Sequence, residues 1–162
     1  MKTLRTIALL LCLAAAARAN ELGIFEWQSD IGIVAKAGSC AAAAMSNSWI
    51  VAGGGANMWS SNDAFHFVSK PVSGDFAFRS AIEWIDAGGN AHRKACLMVR
   101  QSLEADSPYV DVAVHGDGLI SLQYRETAGG VTREIQARPS AGPAGHAAAP
   151  TRATADIIFR CE

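Results

Sequence analysis

The chain has 162 residues and a formal net charge of -1 at pH 7, with acids and bases interspersed along its length. No basic face is on offer to a phosphate backbone, which argues against a nucleic-acid partner. Past the first segment, no apolar run is long enough to cross a bilayer as a helix.

Lys2 and Arg5 precede an uninterrupted apolar stretch from Ile7 to Ala17, and Ala17-Arg18-Ala19 supplies a small-x-small cleavage site before Asn20. This is the layout of a secretory signal peptide over residues 1–19, too short in its apolar part to span a membrane. Cys12 does not make a lipoprotein signal, because Leu11 stands where a small residue is required. The expectation is a mature chain from Asn20, exported to the periplasm or beyond, where disulfides can persist. Three cysteines then remain, Cys40, Cys96 and Cys161. The odd number implies at least one free thiol or an intermolecular bridge, and the spacing fits no zinc motif.

Strand signals run from Gly23 to Gln136. Phe25–Trp27, Ile31–Val34, Trp49–Val51 and Phe65–Val68 are short candidates, and Ala41–Met45 favours about one helical turn. The clearest strand is Asp75–Trp84, with Phe76, Phe78, Ile82 and Trp84 on one face and Asp75, Arg79 and Glu83 on the other. Ala95–Arg100, Tyr109–His115, Leu119–Tyr124 and Val131–Gln136 continue a meander. Gly-containing turns at 87–90, 115–118 and 127–130 connect these strands. Many short strands with such turns predict an all-β, antiparallel sandwich over residues 20–136. From Ala137 the sequence turns to Ala, Pro, Gly, Thr and Arg, with Pro139, Pro143 and Pro150. Residues 137–162 read as a low-complexity, disordered tail, with Ile157-Ile158-Phe159 as a short strand or an apolar stub.

Several constellations bear on chemistry. Glu83 and Asp86 offer two carboxylates, yet an odd offset in a strand sends them to opposite faces and no third acid follows, so a glycosidase pair is not expected. His66, His92, His115 and His146 make no ligand motif, and His66 alternates with Phe65 and Phe67. No nucleophile elbow or phosphate loop is present. Asp86, Asn90, Asp106 and Asp117 are loop oxygens open to a structural calcium, with ordinary turn chemistry as the competing reading. No other cofactor is expected. Of the tryptophans, Trp84 belongs to the core by its alternation with Phe76 and Phe78, while Trp59 is expected to be partly exposed.

Three stretches carry a family resemblance: Ala56-Asn57-Met58-Trp59, Asp63-Ala64-Phe65-His66-Phe67-Val68 with Ser73-Gly74-Asp75, and His92 to Ser102. They resemble the core of concanavalin A-like domains of the DUF1349 type, over about Gly23 to Gln136. The resemblance implies a jelly-roll sandwich and a non-catalytic binding or accessory role in bacterial secreted proteins, some with TolB-like propellers. It also implies closing strands after Gln136, where this sequence departs from the pattern, as a truncated or frame-shifted reading frame would. The sandwich is then expected to lack strands and to leave an unpaired edge. The partner is a polysaccharide or, alternatively, a periplasmic protein, with a hydrolase as the least supported reading. The ligand-binding set expected here is Trp59, Asp63, His66 and Arg100.

Overall fold

The computed structural model describes residues 22–43, 47–85, 89–137 and 152–159, the last of these for its backbone. Residues 1–19, the expected leader, lie outside this set. All regular structure among the described residues is β. In chain order the strands are β1 (Trp27–Ile31), β2 (Ser39–Ala42), β3 (Trp49–Ala52), β4 (Asn57–Trp59), β5 (Asn62–Ser69), β6 (Phe76–Glu83), β7 (Lys94–Arg100), β8 (Tyr109–His115), β9 (Ile120–Arg125), β10 (Arg133–Ala137) and β11 (Arg152–Phe159).

Every pairing is antiparallel. The strands form a four-stranded sheet β10-β9-β8-β7, a three-stranded sheet β1-β5-β4, and the pairs β11-β6 and β2-β3. The chain is thus an antiparallel β-sandwich, as its alternating pattern predicts.

Period-two alternation explains the core directly. Leu97, Val99 and Val112 lie on one face of the four-stranded sheet and pack on Phe76, Phe78 and Ile82 of β6. These three β6 residues are among the four the sequence puts on a single face. Trp84, the fourth, is half-buried and lies under the guanidinium of Arg93, 4.5 Å from its ring.

The opposite face of the same sheet is polar and still buried. It carries Lys94, Cys96, Met98 and Arg100 on β7, Tyr109, Asp111 and His115 on β8, and Ser121, Gln123 and Arg125 on β9. Strands β4 and β5 cover it: Met58 Sδ lies 3.8 Å from Cys96 Sγ, and the Tyr109 hydroxyl donates to the Met58 carbonyl. In β8 the more deeply buried face is therefore Tyr109, Asp111, Ala113 and His115, and not the valine face.

Three segments differ from expectation. The strand expected over Ile31–Val34 is absent, because Gly32 adopts φ 67° and turns the chain after Ile31. A Cβ there would sit 2.1 Å from the Asp63 carbonyl oxygen, so the crossing requires glycine. The helix-favouring run from Ala41 instead begins in β2, paired with Trp49–Ala52, and its residues 44 and 45 lie outside the described set.

The tail is corrected most. Residues 152–159, inside the segment read as disordered, form β11 along the whole of β6, from Arg152 opposite Glu83 to Phe159 opposite Phe76. The three prolines that break the tail all precede β11, which holds alanine, threonine, isoleucine and phenylalanine. β10 likewise ends at Ala137, one residue past the expected boundary.

Candidate functional site

Asp63, second residue of β5, is sealed inside the molecule and accepts from two arginines. Arg125 donates to it from Nη2 at 2.7 Å and from Nη1 at 3.0 Å, and Arg100 Nη1 donates at 3.3 Å. The side chains of Asp63 and Arg125 have no exposure, and that of Arg100 has 2%. Arg125 also donates to the carbonyls of Ser60, Ala105 and Ser107 and to the Thr132 hydroxyl. Its guanidinium stacks 5.0 Å from the Tyr109 ring. Arg100 is occupied by the carbonyls of Ser102 and Glu104, and its own pKa is lowered by burial against the opposing pull of Asp63.

Chemically, this cluster is a fastener. One carboxylate and two guanidiniums tie the β4–β5 hairpin to the 101–108 loop and to the entrance of β10. Ser60 takes a left-handed backbone (φ 57°) while its carbonyl accepts from both Arg125 and the Thr132 amide. A shallow depression of about 320 Å³ beside the cluster is lined by Val99, Gln101, Pro108, Tyr109 and Val110 together with both arginines. Asp63 and Arg100, two members of the expected ligand set, have their hydrogen-bonding groups turned inward.

His66 is also interior, with 4% of its side chain exposed. It points away from Phe65 and Phe67, as alternation requires, but not into solvent. Its Nδ1 lies 2.9 Å from Asp30 Oδ1 and its Nε2 3.2 Å from Gln28 Oε1. Asp30 sits directly opposite His66 in the β1–β5 register, and the bond to His66 is the main cause that lowers the Asp30 pKa.

Gln28 and Asp30 act as a side-chain ladder for the next segment. Gln28 accepts from the Cys40 amide, and Asp30 accepts from the Gly38 amide with both oxygens. Gly38 is required because a Cβ would lie 2.3 to 2.4 Å from the His66 ring and its Cβ. The β2–β3 hairpin therefore closes over His66.

Trp59 is the remaining member. It is half-buried at the end of β4, on the edge of its sheet. The Lys94 ammonium lies 5.1 Å from its ring centroid and donates to Asn57 Oδ1 at 2.9 Å, the Met58 carbonyl at 3.3 Å and Gln123 Oε1 at 3.1 Å. Burial lowers the Lys94 pKa, with Asp111 and other anionic neighbours opposing. Asn57 is exposed and accepts at Oδ1 from both Lys94 and the Met58 amide, so its amide nitrogen is turned outward. Of the four expected ligand residues the structure brings Asp63 and Arg100 together, and Trp59 is half-buried at the sheet edge beside polar partners.

Nothing in the alternation of β8 announces the Asp111 environment. Its carboxylate is fully buried, neither oxygen has a hydrogen-bond partner of ordinary geometry, and burial pushes its pKa up to about 7. Cys96 on the same face has its thiol pushed well above its ordinary range, first by burial and then by Asp111. His115 is buried, bonded through Nε2 to Ser121, with its pKa lowered by burial. Only a register linking three strands could have revealed this set.

The calcium candidates do not converge. Asn90 Oδ1 accepts from the His92 amide and Asp117 Oδ1 from the Leu119 amide, which is turn chemistry. Asp106 precedes β8 and Asp117 follows it, at opposite ends of a seven-residue strand, or about 20 Å apart. Asp86 lies outside the described residues. No group of three or more His, Cys, Asp or Glu among the described residues could hold a metal ion. Cys40 and Cys96 are both free thiols.

Comparison of the chain with protein-family models, with curated proteins and with solved structures found no match.

Proposed function

We propose that the protein is a secreted, non-catalytic binding module of the concanavalin A-like DUF1349 kind, a jelly roll that takes a polysaccharide at Trp59. The observation that carries the reading is the edge formed by Trp59, Asn57 and Lys94. A sugar ring has an apolar C–H face that stacks on an indole and hydroxyls that need hydrogen-bond partners around it. Trp59 supplies a half-buried ring at the sheet edge, with the Lys94 ammonium over it, and the exposed Asn57 supplies an amide beside it.

The inward-turned Asp63, His66 and Arg100 do not contact the ligand in this reading. They hold Trp59 in place instead: Trp59 and Asn62 form the last register pair of the β4–β5 hairpin, and Asp63 anchors the next residue. Export through the amino-terminal leader puts the module where extracellular or periplasmic glycans are met.

The test is thermal unfolding followed by circular dichroism, alone and with a panel of soluble polysaccharides. A ligand that prefers the native state stabilises it, by about 2.7 kcal/mol at a hundredfold excess over Kd. A midpoint raised by one glycan class supports the reading; a transition that no glycan moves overturns it.

A further inference from the structure

The four-stranded sheet carries one apolar row across all its strands. Leu97 is opposite Val112, Val112 opposite Leu122, and Leu122 opposite Ile135. Exposure rises along that row: Leu97 is 7% exposed under β6, Leu122 37% and Ile135 62%. Val131, just before β10 on the same face, is 72% exposed. The core therefore runs out from beneath β6, and among the described residues the row is progressively less covered toward the sheet edge.

That edge is β10. Among the described residues no strand pairs with it on the side away from β9. Proteins commonly blunt such an edge with charged side chains, above all lysine, with proline or with a bulge. Arg133–Ala137 has no lysine or proline, its two charges, Arg133 and Glu134, sit at one end of the strand, and its register with β9 is unbroken.

We propose that β10 is a self-pairing edge, at which two copies of this chain join their four-stranded sheets antiparallel through Arg133–Ala137, centred on Ile135. Electrostatics and side-chain alternation select that register. A two-fold axis perpendicular to the sheet must pass beside one residue, so that like faces meet. Centring on Arg133 sets Arg133 against its own copy, and centring on Glu134 does the same with a carboxylate; directly opposed like charges destabilise a strand pair.

Centring on Gln136 sets Ile135 against Ala137 and puts the two apolar rows out of line. Centring on Ile135 sets isoleucine against isoleucine, Glu134 against Gln136 and Arg133 against Ala137. The row then runs unbroken from Leu97 of one copy to Leu97 of the other. No like charges meet in this register.

The contact is a single strand pair with a narrow apolar strip, at the small end of specific interfaces, so a concentration-dependent dimer is expected. Sedimentation equilibrium of the intact protein over a concentration series tests it. The average mass should rise toward that of a dimer, and Ile135→Glu should return it to monomer, with an unfolding midpoint equal to the parent's at concentrations where the parent is monomeric, since Ile135 is exposed. Under mild oxidation Ile135→Cys should yield a covalent dimer whose bridge maps to position 135 in both chains. Leu122→Cys should not, because three strand spacings, about 14 Å, exceed disulfide reach. A monomer mass up to about 1 mM, a dimer that Ile135→Glu leaves intact, or equal cross-linking at position 122 would overturn the proposal.

Discussion

Asp63 and Arg125 stand 62 residues apart in the chain and meet through paired hydrogen bonds of 2.7 and 3.0 Å, with both side chains closed to solvent. An internal ion pair pays a desolvation cost that only complete pairing offsets. Here Asp63 balances two guanidiniums, and removing it leaves both buried without a counter-charge. We expect Asp63→Ala to cost about 3–5 kcal/mol in urea unfolding, whereas Arg133→Ala, whose contact to Glu126 is 3.9 Å and largely exposed, should cost less than about 1 kcal/mol. Equal, small effects would mean that the cluster does not fasten the loops.

Asp111 gives the molecule a pH dependence of defined sign. Burial raises its pKa from 3.8 to about 7 in the folded state, against the opposing pull of Lys94. The folded chain thus holds a proton that the unfolded chain releases, and the stability this contributes is full below about pH 4. It is lost as pH rises toward 7 and stays lost above, by at most about 1.4 kcal/mol per pH unit. Asp111→Asn removes the charged form, so the variant should gain on the parent as pH rises through that window. Parallel stability curves for the two proteins between pH 4 and 8 would contradict this.

Two glycines that meet the same histidine should respond differently. At Gly38 a Cβ would lie 2.3 Å from the His66 ring, and at Gly53 it would make an ordinary 3.5 Å contact with His66 Cβ. Gly38→Ala must push His66 off Asp30 or lift the β2–β3 hairpin, at about 1–3 kcal/mol. Gly53→Ala should stay within about 0.5 kcal/mol of the parent. Chemical denaturation of both variants decides whether the hairpin seats on His66.

The free thiols should be inert in the folded protein. Burial raises the pKa of Cys40 and, with the help of Asp111, that of Cys96 much further. Because the thiolate is the reactive species, iodoacetamide at pH 7.5 should leave peptides containing Cys40 and Cys96 unlabelled until denaturant is added. Prompt labelling of Cys96 in native buffer would show that β4 does not cover it.

How much of this was legible in the sequence follows from what alternation can report. Phe76, Phe78 and Ile82 declared a shared face, and that face is the core against Leu97, Val99 and Val112. Alternation distinguishes two faces of a strand, but it does not say whether a polar face meets water or a second sheet. Asp111, Gln123 and Arg125 lie on such a polar face, and β4 and β5 cover them.

Asp63 and Arg100 belong to the expected ligand set, yet both are turned inward. Their shared partner, Arg125, is brought in only by the three-dimensional register. The tail misled through its prolines, whose effect stops at Pro150, before β11 begins.

The central claim is that Trp59 meets the ligand, and the measurement that tests it most directly is affinity electrophoresis through gels cast with each polysaccharide of the panel. The parent, Trp59→Ala and Trp27→Ala should be run side by side. Trp27 is the demanding control, because it is 53% exposed on β1, more open than Trp59 yet without the Asn57 and Lys94 partners. The account predicts that one glycan retards the parent and Trp27→Ala alike, while Trp59→Ala migrates as in an empty gel. Retardation kept by Trp59→Ala, or lost only with Trp27→Ala, would contradict it.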